Sequence, residues 1–256
     1  MKKEALKQRF REYSAAFRTG IREVDMNLQL KQEHTLRVLA EAESLASAEN
    51  FSETEKFLLY CAALFHDLSR FEQFVRFQTY NDADSFDHGE RSYQLILQDD
   101  WLPQELSAEE GQIVLTAVRF HNKRSVPENI SAAELKILAA VRDADKTDIF
   151  NILLQHLKNP ENPAIVYKLS DFSRLSPKVA AAISAGMSPD NSDLETGLDF
   201  LAAKFAWGFD LNFRWTCQEF LKREYMQRLY GAIPENPELL LCCEKVLTFM
   251  QRKGMM

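Results

Sequence analysis

The sequence predicts an all-α fold, and three observations support this prediction. Residue types that favour helix, among them Ala, Leu, Glu and Lys, dominate the 256 residues, whereas Gly occurs only 8 times. No segment of strict polar and apolar alternation is long enough to indicate a sheet. Ser followed three residues later by Glu, the capping-box pattern of a helix N-terminus, occurs at several places, and four such pairs precede apolar-periodic segments. These pairs are Ser52/Glu55, Ser107/Glu110, Ser131/Glu134 and Ser192/Glu195.

The predicted helices are separated by segments rich in Pro, Asn and Gly, the residues that form turns. We expect helices at about 2–17, 25–48, 53–68, 70–78, 88–98, 108–121, 132–157, 165–171, 176–186, 192–230 and 237–253. The predicted organisation has three parts: an N-terminal helix over 1–24 that packs on the core, a helical bundle over 25–157, and a C-terminal helical region over 158–256. The last is expected to pack on the bundle and is a candidate to complete a substrate pocket.

Composition limits the class of protein. The net charge of −7 argues against a general nucleic-acid-binding surface. The N-terminal segment carries charges throughout, so no signal peptide is expected. No stretch approaches the roughly 20 apolar residues of a membrane span. The four cysteines form no CxxC pair and are predicted to be reduced, which favours a cytoplasmic location.

A short segment, CAALFHDLSR at residues 61–70, carries the first chemical signal. An apolar run that belongs in a protein core leads directly into His66 and Asp67, and Arg70 follows three residues later. Ionisable groups are costly to bury unless they are paired or bind a metal. Neighbouring helical positions point about 100° apart. His66 and Asp67 can therefore flank one ion, or Asp67 can bridge two.

Four more residues could join this pair: His34, His88, His121 and Asp145. Each has an ordinary explanation by itself, because a lone histidine on an apolar face is usually a hydrogen-bonded core residue and a lone Asp usually caps or pairs locally. One metal centre would account for all of them together. Imidazole and carboxylate are the ligands of Fe, Mn, Zn and related divalent ions.

Asp145 interrupts the apolar stripe of a predicted helix. Asp143 is predicted to lie on the solvated side of that helix. Asp148, one turn beyond Asp145, is a candidate partner for a metal ligand. His156 lies about 16 Å from Asp145 along the helix, too far to share an ion.

The order His34, His66–Asp67, Asp145 resembles the His…His-Asp…Asp pattern of the HD-domain superfamily of metal-dependent phosphohydrolases. The intervals are 32 residues from His34 to His66 and 78 residues from Asp67 to Asp145. Arg70 stands at the last position of the HDxxK/R form of the motif. Nucleotide-dedicated members with one metal carry Glu there, so their general base is not transferred to this chain.

His88 and His121 resemble the additional histidines of members that hold two metals, in which they bind the second ion and the Asp of the pair bridges both. The resemblance thus implies two divalent ions, with Fe and Mn favoured over Zn, Mg, Ni and Co. The implied ligands are His34, His66, Asp67, His88, His121 and Asp145.

The resemblance also implies hydrolysis of a phosphate ester or anhydride of a small molecule or nucleotide by metal-activated water. Asp67 and Arg70 are the catalytic candidates. Positive side chains stabilise phosphoryl charge, and Arg70, Lys123 and Lys146 are the substrate-binding candidates. Arg124 is expected to be solvated, and Lys146 faces about 100° away from Asp145.

Two other functions stay open at this point. Some members with an HD-like fold use a dinuclear iron site of four His and two Asp to cleave C–C or C–P bonds with dioxygen, and the ligand set does not separate this chemistry from hydrolysis. A non-catalytic module that binds a nucleotide or partner is disfavoured, because a relic site should have lost ligands and this one keeps all six.

The C-terminal region contains an aromatic segment, FAWGFDLNFRW. Phe205, Phe209 and Phe213 recur every four residues, and Trp207 and Trp215 lie on another face. This pattern favours a helix buried on two sides over an aromatic wall of a substrate site. If this region influences substrate choice, the nearby polar residues Asp210, Asn212 and Arg214 are the candidates.

Overall fold

The computed structural model describes residues 2–158, 171–233 and 235–255, and these residues form α-helices and short 3₁₀ turns but no β-strand. The first seven helices are α1 Lys2–Ala15, α2 Arg22–Ala48, α3 Glu53–Phe65, α4 Ser69–Phe77, α5 His88–Gln98, α6 Ala108–Phe120 and α7 Ala132–Lys158. Five more follow: α8 Pro177–Ser184, α9 Gly197–Ala206, α10 Arg214–Lys222, α11 Tyr225–Tyr230 and α12 Pro237–Met255. The all-α prediction is confirmed.

The chain divides into two compact units, Met1–Asp148 and Ile149–Met256. In the first unit α3 lies between α2 and α6, and α4 packs against α2 and α5. Every residue of α3 from Leu58 to Phe65 is buried. Burial of apolar surface is the dominant favourable term in folding, and this central helix anchors the segment that follows it.

Helix N-termini follow the capping pattern at three of the four predicted places. Ser52, Ser107 and Ser131 each accept a hydrogen bond from the backbone of the Glu three residues later, whose side chain returns the bond. The fourth prediction, at Ser192, is wrong. Ser192 lies in a 3₁₀ turn, Asn191–Asp193, and the helix begins instead at a capping box between Thr196 and Asp199.

The helix that leads into the His66–Asp67 pair ends earlier than predicted. The helix expected over 53–68 ends at Phe65, so His66 and Asp67 lie in the tight junction between α3 and α4. A backbone bond from Leu68 N–H to the carbonyl of Phe65 closes this junction at 3.3 Å. The ionisable pair therefore stands at the end of a buried helix.

The second unit has its own apolar core, built around Phe205, Phe220, Met226 and Val246. The single helix predicted over 192–230 is wrong. This stretch contains α9, a 3₁₀ turn at Trp207–Asp210, α10 and α11, with extended backbone at Leu211. A local pattern of aromatic residues does not distinguish one long helix from several short ones that share a core.

Three further predictions concern the helix at 165–171, the cysteines and membrane-spanning segments. Residues 165–170 of the predicted helix 165–171 lie outside the described residues, and Asp171 is not helical. Cys61, Cys217, Cys242 and Cys243 are free and buried, as expected for reduced thiols. Among the described residues, no helix combines the length and apolarity needed to cross a membrane.

Candidate metal centre

His66 and His121 occupy equivalent local positions, each directly after the last residue of a helix, α3 and α6 respectively. The last carbonyl groups of a helix lack partners within it. The Nδ1–H group of His66 donates to the carbonyl of Ala63 at 2.8 Å, and that of His121 donates to the carbonyl of Val118 at 2.7 Å. Since Nδ1 carries the proton, Nε2 is the nitrogen with the lone pair. Both rings thus present a metal-ligating atom away from their own helix.

His34 lies in the interior of α2 and is fully buried. Its Nδ1–H group donates to Oδ2 of Asp148 on α7 at 2.7 Å. Arg37, one turn after His34, holds the same carboxylate through Nε at 2.6 Å and Nη2 at 3.1 Å. A carboxylate partner of this kind fixes the orientation of a metal-ligating imidazole. Asp148 thus lies where the sequence predicted a partner for a metal ligand.

His88 is the first residue of α5, which is capped by Asp87. Its Nδ1–H group donates to Oδ2 of Asp82 at 2.6 Å, and the Asn122 amide donates to the same oxygen at 3.2 Å. Asp82 belongs to the 3₁₀ turn Asp82–Asp84 in the loop before α5. His88 therefore also presents Nε2, which lies 3.0 Å from Nε2 of His121.

The first subsite consists of His34, His66, Asp145 and the Oδ2 atom of Asp67. Nε2 of His34 lies 3.1 Å from Oδ1 of Asp145 and 3.5 Å from Oδ2 of Asp67. Nε2 of His66 lies 3.8 Å and 3.4 Å from the same two oxygens. Four potential ligand atoms from α2, the α3–α4 junction and α7 therefore converge.

The ligand atoms of the first subsite fit a divalent ion. Metal–nitrogen and metal–oxygen bonds are about 2.0–2.2 Å long, so two ligands at right angles on one ion lie about 3 Å apart. The observed separations of 3.1–3.8 Å are of this size. Among the described residues, the buried Nε2 atoms of His34 and His66 have no hydrogen-bond partner. Buried polar atoms without partners are rare, and a metal ion would satisfy both.

The second subsite consists of His88, His121 and the Oδ1 atom of Asp67. Oδ1 lies 3.6 Å from Nε2 of His88 and 3.9 Å from Nε2 of His121. The two carboxylate oxygens of Asp67 thus face different subsites, which is the geometry that a bridging carboxylate requires. All six residues that the sequence nominated as ligands come together around Asp67.

Two cationic side chains of the chain itself also hold Asp67. Lys31 Nζ donates to Oδ2 at 2.6 Å, and Arg70 Nε donates to Oδ1 at 3.3 Å. Lys31 lies on α2, one turn before His34. The aromatic ring of Tyr80 lies near both cations, 5.5 Å from Lys31 Nζ and 5.8 Å from the Arg70 guanidinium.

The other predicted substrate-binding cations lie differently. Lys123 is ion-paired with Asp87, the residue that caps α5. Lys146 is 7% exposed, and Asp143, which the sequence placed in solvent, is fully buried. The prediction for Asp143 is wrong because the sequence pattern identifies only the face that carries the apolar stripe, whereas α7 is buried on more than one side at Asp143. The side chain of His156 lies outside the described residues.

The clustered charges shift several pKa values. Burial and the charge of Lys31 lower the pKa of His34, but the neighbouring carboxylates of Asp145, Asp148 and Asp67 outweigh them and raise it to about 9. Burial and the neighbouring imidazoles lower the pKa of His121 to about 3. Metal ligands must be deprotonated to bind. His121 is therefore in its deprotonated form at neutral pH, whereas His34 would have to release a proton to bind an ion.

The carboxylates of both subsites favour their charged form. Burial raises the pKa of Asp67, but Lys31 and the neighbouring imidazole of His66 hold it well below its usual range. Burial likewise opposes ionisation of Asp145 and Asp82, and their imidazole partners prevail, so that both pKa values are lowered.

A family model for the HD domain matches residues 32–171, which is more than half of the chain. The chain therefore belongs to the HD-domain superfamily of metal-dependent phosphohydrolases. None of the curated proteins and none of the solved structures compared with the chain matches it.

Sequence reasoning missed three residues of this centre: Lys31, Arg37 and Asp82. Lys31 and Arg37 lie three residues before and after His34, so helical periodicity places both near its face. Asp82 gave no comparable signal, because it is one of several acidic residues in the loop between α4 and α5. Its contact with His88 depends on how that loop folds.

Proposed function

We propose that the chain is a metal-dependent phosphohydrolase that cleaves a phosphate ester or anhydride of a small molecule or nucleotide. One observation carries this proposal: four imidazole Nε2 atoms, each with its Nδ1 held by an acceptor, converge on Asp67, which is flanked by two cations. The HD-domain match supports a metal-dependent hydrolase in general terms, and the choice of substrate class is our proposal.

The first subsite would hold a divalent ion through His34, His66, Asp67 and Asp145, and the second subsite is the candidate for another. A mixture of imidazole and carboxylate ligands suits Fe and Mn. When bound, such an ion lowers the pKa of water and polarises a phosphoryl oxygen.

The side chains around the ligands have separate tasks. Asp148, Asp82 and the carbonyl groups of Ala63 and Val118 hold the proton of each imidazole at Nδ1 and keep Nε2 available. Lys31 is the strongest candidate to bind a phosphoryl oxygen of the substrate. Its ammonium group lies at the first subsite, and its side chain is 14% exposed. A fixed positive charge at this position stabilises the negative charge that develops on a phosphoryl group.

The test is phosphate release from a panel of phosphomonoesters, phosphodiesters and nucleotides by protein loaded with Mn²⁺ or Fe²⁺. We expect activity that Asp67→Asn abolishes. Lys31→Met should lower kcat/KM by about 100-fold, of the order lost when one charge-stabilising donor is removed. Lys56→Met, which removes a half-buried cation paired with Glu53, is the matched control and should retain activity. If no phosphate were released with any metal, the proposal would be wrong.

A dinuclear-iron oxygenase is the second candidate, because the ligand set of four His and two Asp is complete. It requires both subsites to hold iron. Iron content together with substrate-dependent oxygen uptake would identify it, and protein that contains no iron after aerobic and anaerobic purification would exclude it.

A further inference from the structure

We propose that Arg70 is a resident cation of the second subsite, so that the chain binds one divalent ion tightly and a second ion only weakly. This inference rests on the metal centre of the proposed function. The sequence nominated Arg70 for substrate binding, whereas its guanidinium group here has a different primary role.

Arg70 directly contacts His88, a candidate ligand of the second subsite. Nη2 of Arg70 lies 3.2 Å from Nε2 of His88. Because Nδ1 of His88 donates to Asp82, its Nε2 is the acceptor in this contact. An arginine cannot be deprotonated in a protein. The guanidinium group therefore holds the lone pair that a second metal ion would need.

Arg70 also contacts the carboxylate oxygen of the same subsite. Its Nε donates to Oδ1 of Asp67 at 3.3 Å. Two of the three ligand atoms of the second subsite are thus engaged by one guanidinium group. Nε2 of His121 lies 3.0 Å from Nε2 of His88. Both are lone-pair nitrogens, and a nearby positive charge reduces their mutual repulsion.

Further hydrogen bonds anchor the Arg70 side chain. Nη1 donates to Oε1 of Gln73 at 2.6 Å, to the carbonyl of Tyr80 at 2.6 Å and to Oδ1 of Asp82 at 3.0 Å. Gln73 is itself fully buried and donates to the carbonyl of Phe86. The side chain of Arg70 is 12% exposed. The Arg70 side chain contacts five acceptor atoms in all. A second ion would have to displace this side chain and would be repelled by its positive charge.

The first subsite lacks this competition at its nitrogen atoms. Lys31 contacts only the Oδ2 atom of Asp67 among the ligands of that subsite, whereas the Nε2 atoms of His34 and His66 have no hydrogen-bond partner among the described residues. A carboxylate oxygen can accept a hydrogen bond and bind a metal at once. The two subsites should therefore differ in affinity.

The experiment is titration of the purified chain with Mn²⁺, followed by calorimetry and by elemental analysis of the protein after removal of unbound ions. We expect one tightly bound ion and a second step at least about tenfold weaker, about 1.4 kcal/mol. In Arg70→Met the second step should tighten at least about tenfold. Arg76→Met is the matched control, because Arg76 lies on the same helix, is exposed and pairs with Glu72. It should leave both steps unchanged.

Two more variants locate the effect. Adding His121→Ala to Arg70→Met should remove the gained step and leave the first. Arg70→Lys keeps a positive charge and should give a smaller gain than Arg70→Met. Helicity by circular dichroism and an intact first step establish that each variant is folded. Two equally tight ions in the unmodified chain, or an unchanged second step in Arg70→Met, would overturn the inference. These readouts measure metal binding, so a failure to release phosphate would count against the proposed function alone.

Discussion

Each of the four histidines in the candidate metal centre has a hydrogen-bond acceptor at Nδ1, and the acceptors are of two kinds. His66 and His121 use a carbonyl of their own helix, three residues back. His34 and His88 use carboxylates that are distant in sequence or lie in a loop, Asp148 and Asp82. The first kind forms with the helix itself, whereas the second requires the tertiary fold.

The Asp148 carboxylate should matter for metal affinity although it is not a ligand. Asp148→Ala removes the partner that fixes the His34 ring and leaves Arg37 without its bidentate acceptor. Loss of such a partner typically costs 10–100-fold in metal affinity. We expect a Mn²⁺ affinity lower by about tenfold or more at the first step in a calorimetric titration. Asp193→Ala, which removes a carboxylate paired with Lys178 in the second unit, should leave the affinity unchanged. Equal affinities in the two variants would contradict this role.

A second residue-scale prediction concerns the buried carboxylate of Asp199. It accepts hydrogen bonds from the backbone and hydroxyl of Ser176 at 2.7 and 2.6 Å, and from the backbone of Glu195 and Thr196. Burial raises its pKa, but these donors hold the pKa below the ordinary value of 3.8. Asp199→Asn replaces one acceptor oxygen with an NH₂ group, which then faces hydrogen-bond donors and cannot accept from them. We expect a loss of about 2–3 kcal/mol in the free energy of unfolding near pH 7.

The lowered pKa of Asp199 also determines how the stability difference between the unmodified protein and Asp199→Asn depends on pH. The carboxylate contributes its full stability at pH values above about 4, and the contribution is lost as the pH falls through the lower pKa of the folded state. The stability gap between the two proteins should be constant from pH 7 to about 5 and should narrow below about 4. Urea unfolding across this range measures it. A gap that widens in acid would contradict the assignment.

At the scale of elements, helix ends deliver the reactive groups. The C-termini of α3 and α6 carry His66 and His121, and the N-terminus of α5 carries His88. A helix terminus projects a side chain into the space beyond the helix while the helix remains anchored in the core. The relative position of α5 and α6 therefore sets the distance between His88 and His121.

Gly89 controls the approach of α5 to α6. A Cβ atom at this position would lie 2.5 Å from Oδ1 of Asn122 and 2.9 Å from the carbonyl oxygen of Arg119. Gly89→Ala should therefore destabilise the protein by about 1–3 kcal/mol, as overpacking does, despite the higher helix propensity of Ala. It should also weaken Mn²⁺ binding at the second subsite. The midpoint of urea unfolding and a metal titration measure the two effects.

Gly111 on α6 supplies the matched control. A Cβ atom there would meet only a terminal methyl group of Leu102 at 3.2 Å, so Gly111→Ala should be neutral or stabilise the helix by up to about 1 kcal/mol. If the two alanine variants were equally stable, the close approach at Gly89 would not limit the packing.

At the scale of the whole molecule, all six candidate ligands belong to the unit Met1–Asp148. The second unit has a separate apolar core and contributes none of them. A ligand that binds only the folded state stabilises it by about 2.7 kcal/mol at 100 times its dissociation constant. Stabilisation by metal should therefore be concentrated in the first unit.

Amide hydrogen exchange provides the measurement. We expect Mn²⁺ to slow exchange in segments 31–38, 61–70 and 116–121 and to leave segments 197–206 and 214–222 unchanged. His66→Ala should abolish the effect. Slower exchange of equal size in both units would show that the metal acts on the whole chain.

Much of the candidate centre could be predicted from local sequence. The apolar run ending at His66, the order of His34, His66–Asp67 and Asp145, and the capping boxes at Ser52, Ser107 and Ser131 are all readable within one turn or one motif. Predictions failed where the burial of a helix face, or the length of a helix, depends on packing against segments that are distant in the sequence. Asp143 is buried, and the segment 192–230 forms several helices, because the surrounding core decides both.

The sequence by itself determined the all-α class, the set of six candidate ligands and the resemblance to the HD-domain superfamily, since these depend on residue type, order and helical spacing. Only the tertiary structure decided which carboxylate orients which imidazole, that Lys31 and Arg70 hold opposite oxygens of Asp67, and that Arg70 reaches His88. The physical reason is that such contacts join segments that are far apart in the sequence, from α2 to α7. Their distances follow from how these segments pack rather than from their separation along the chain.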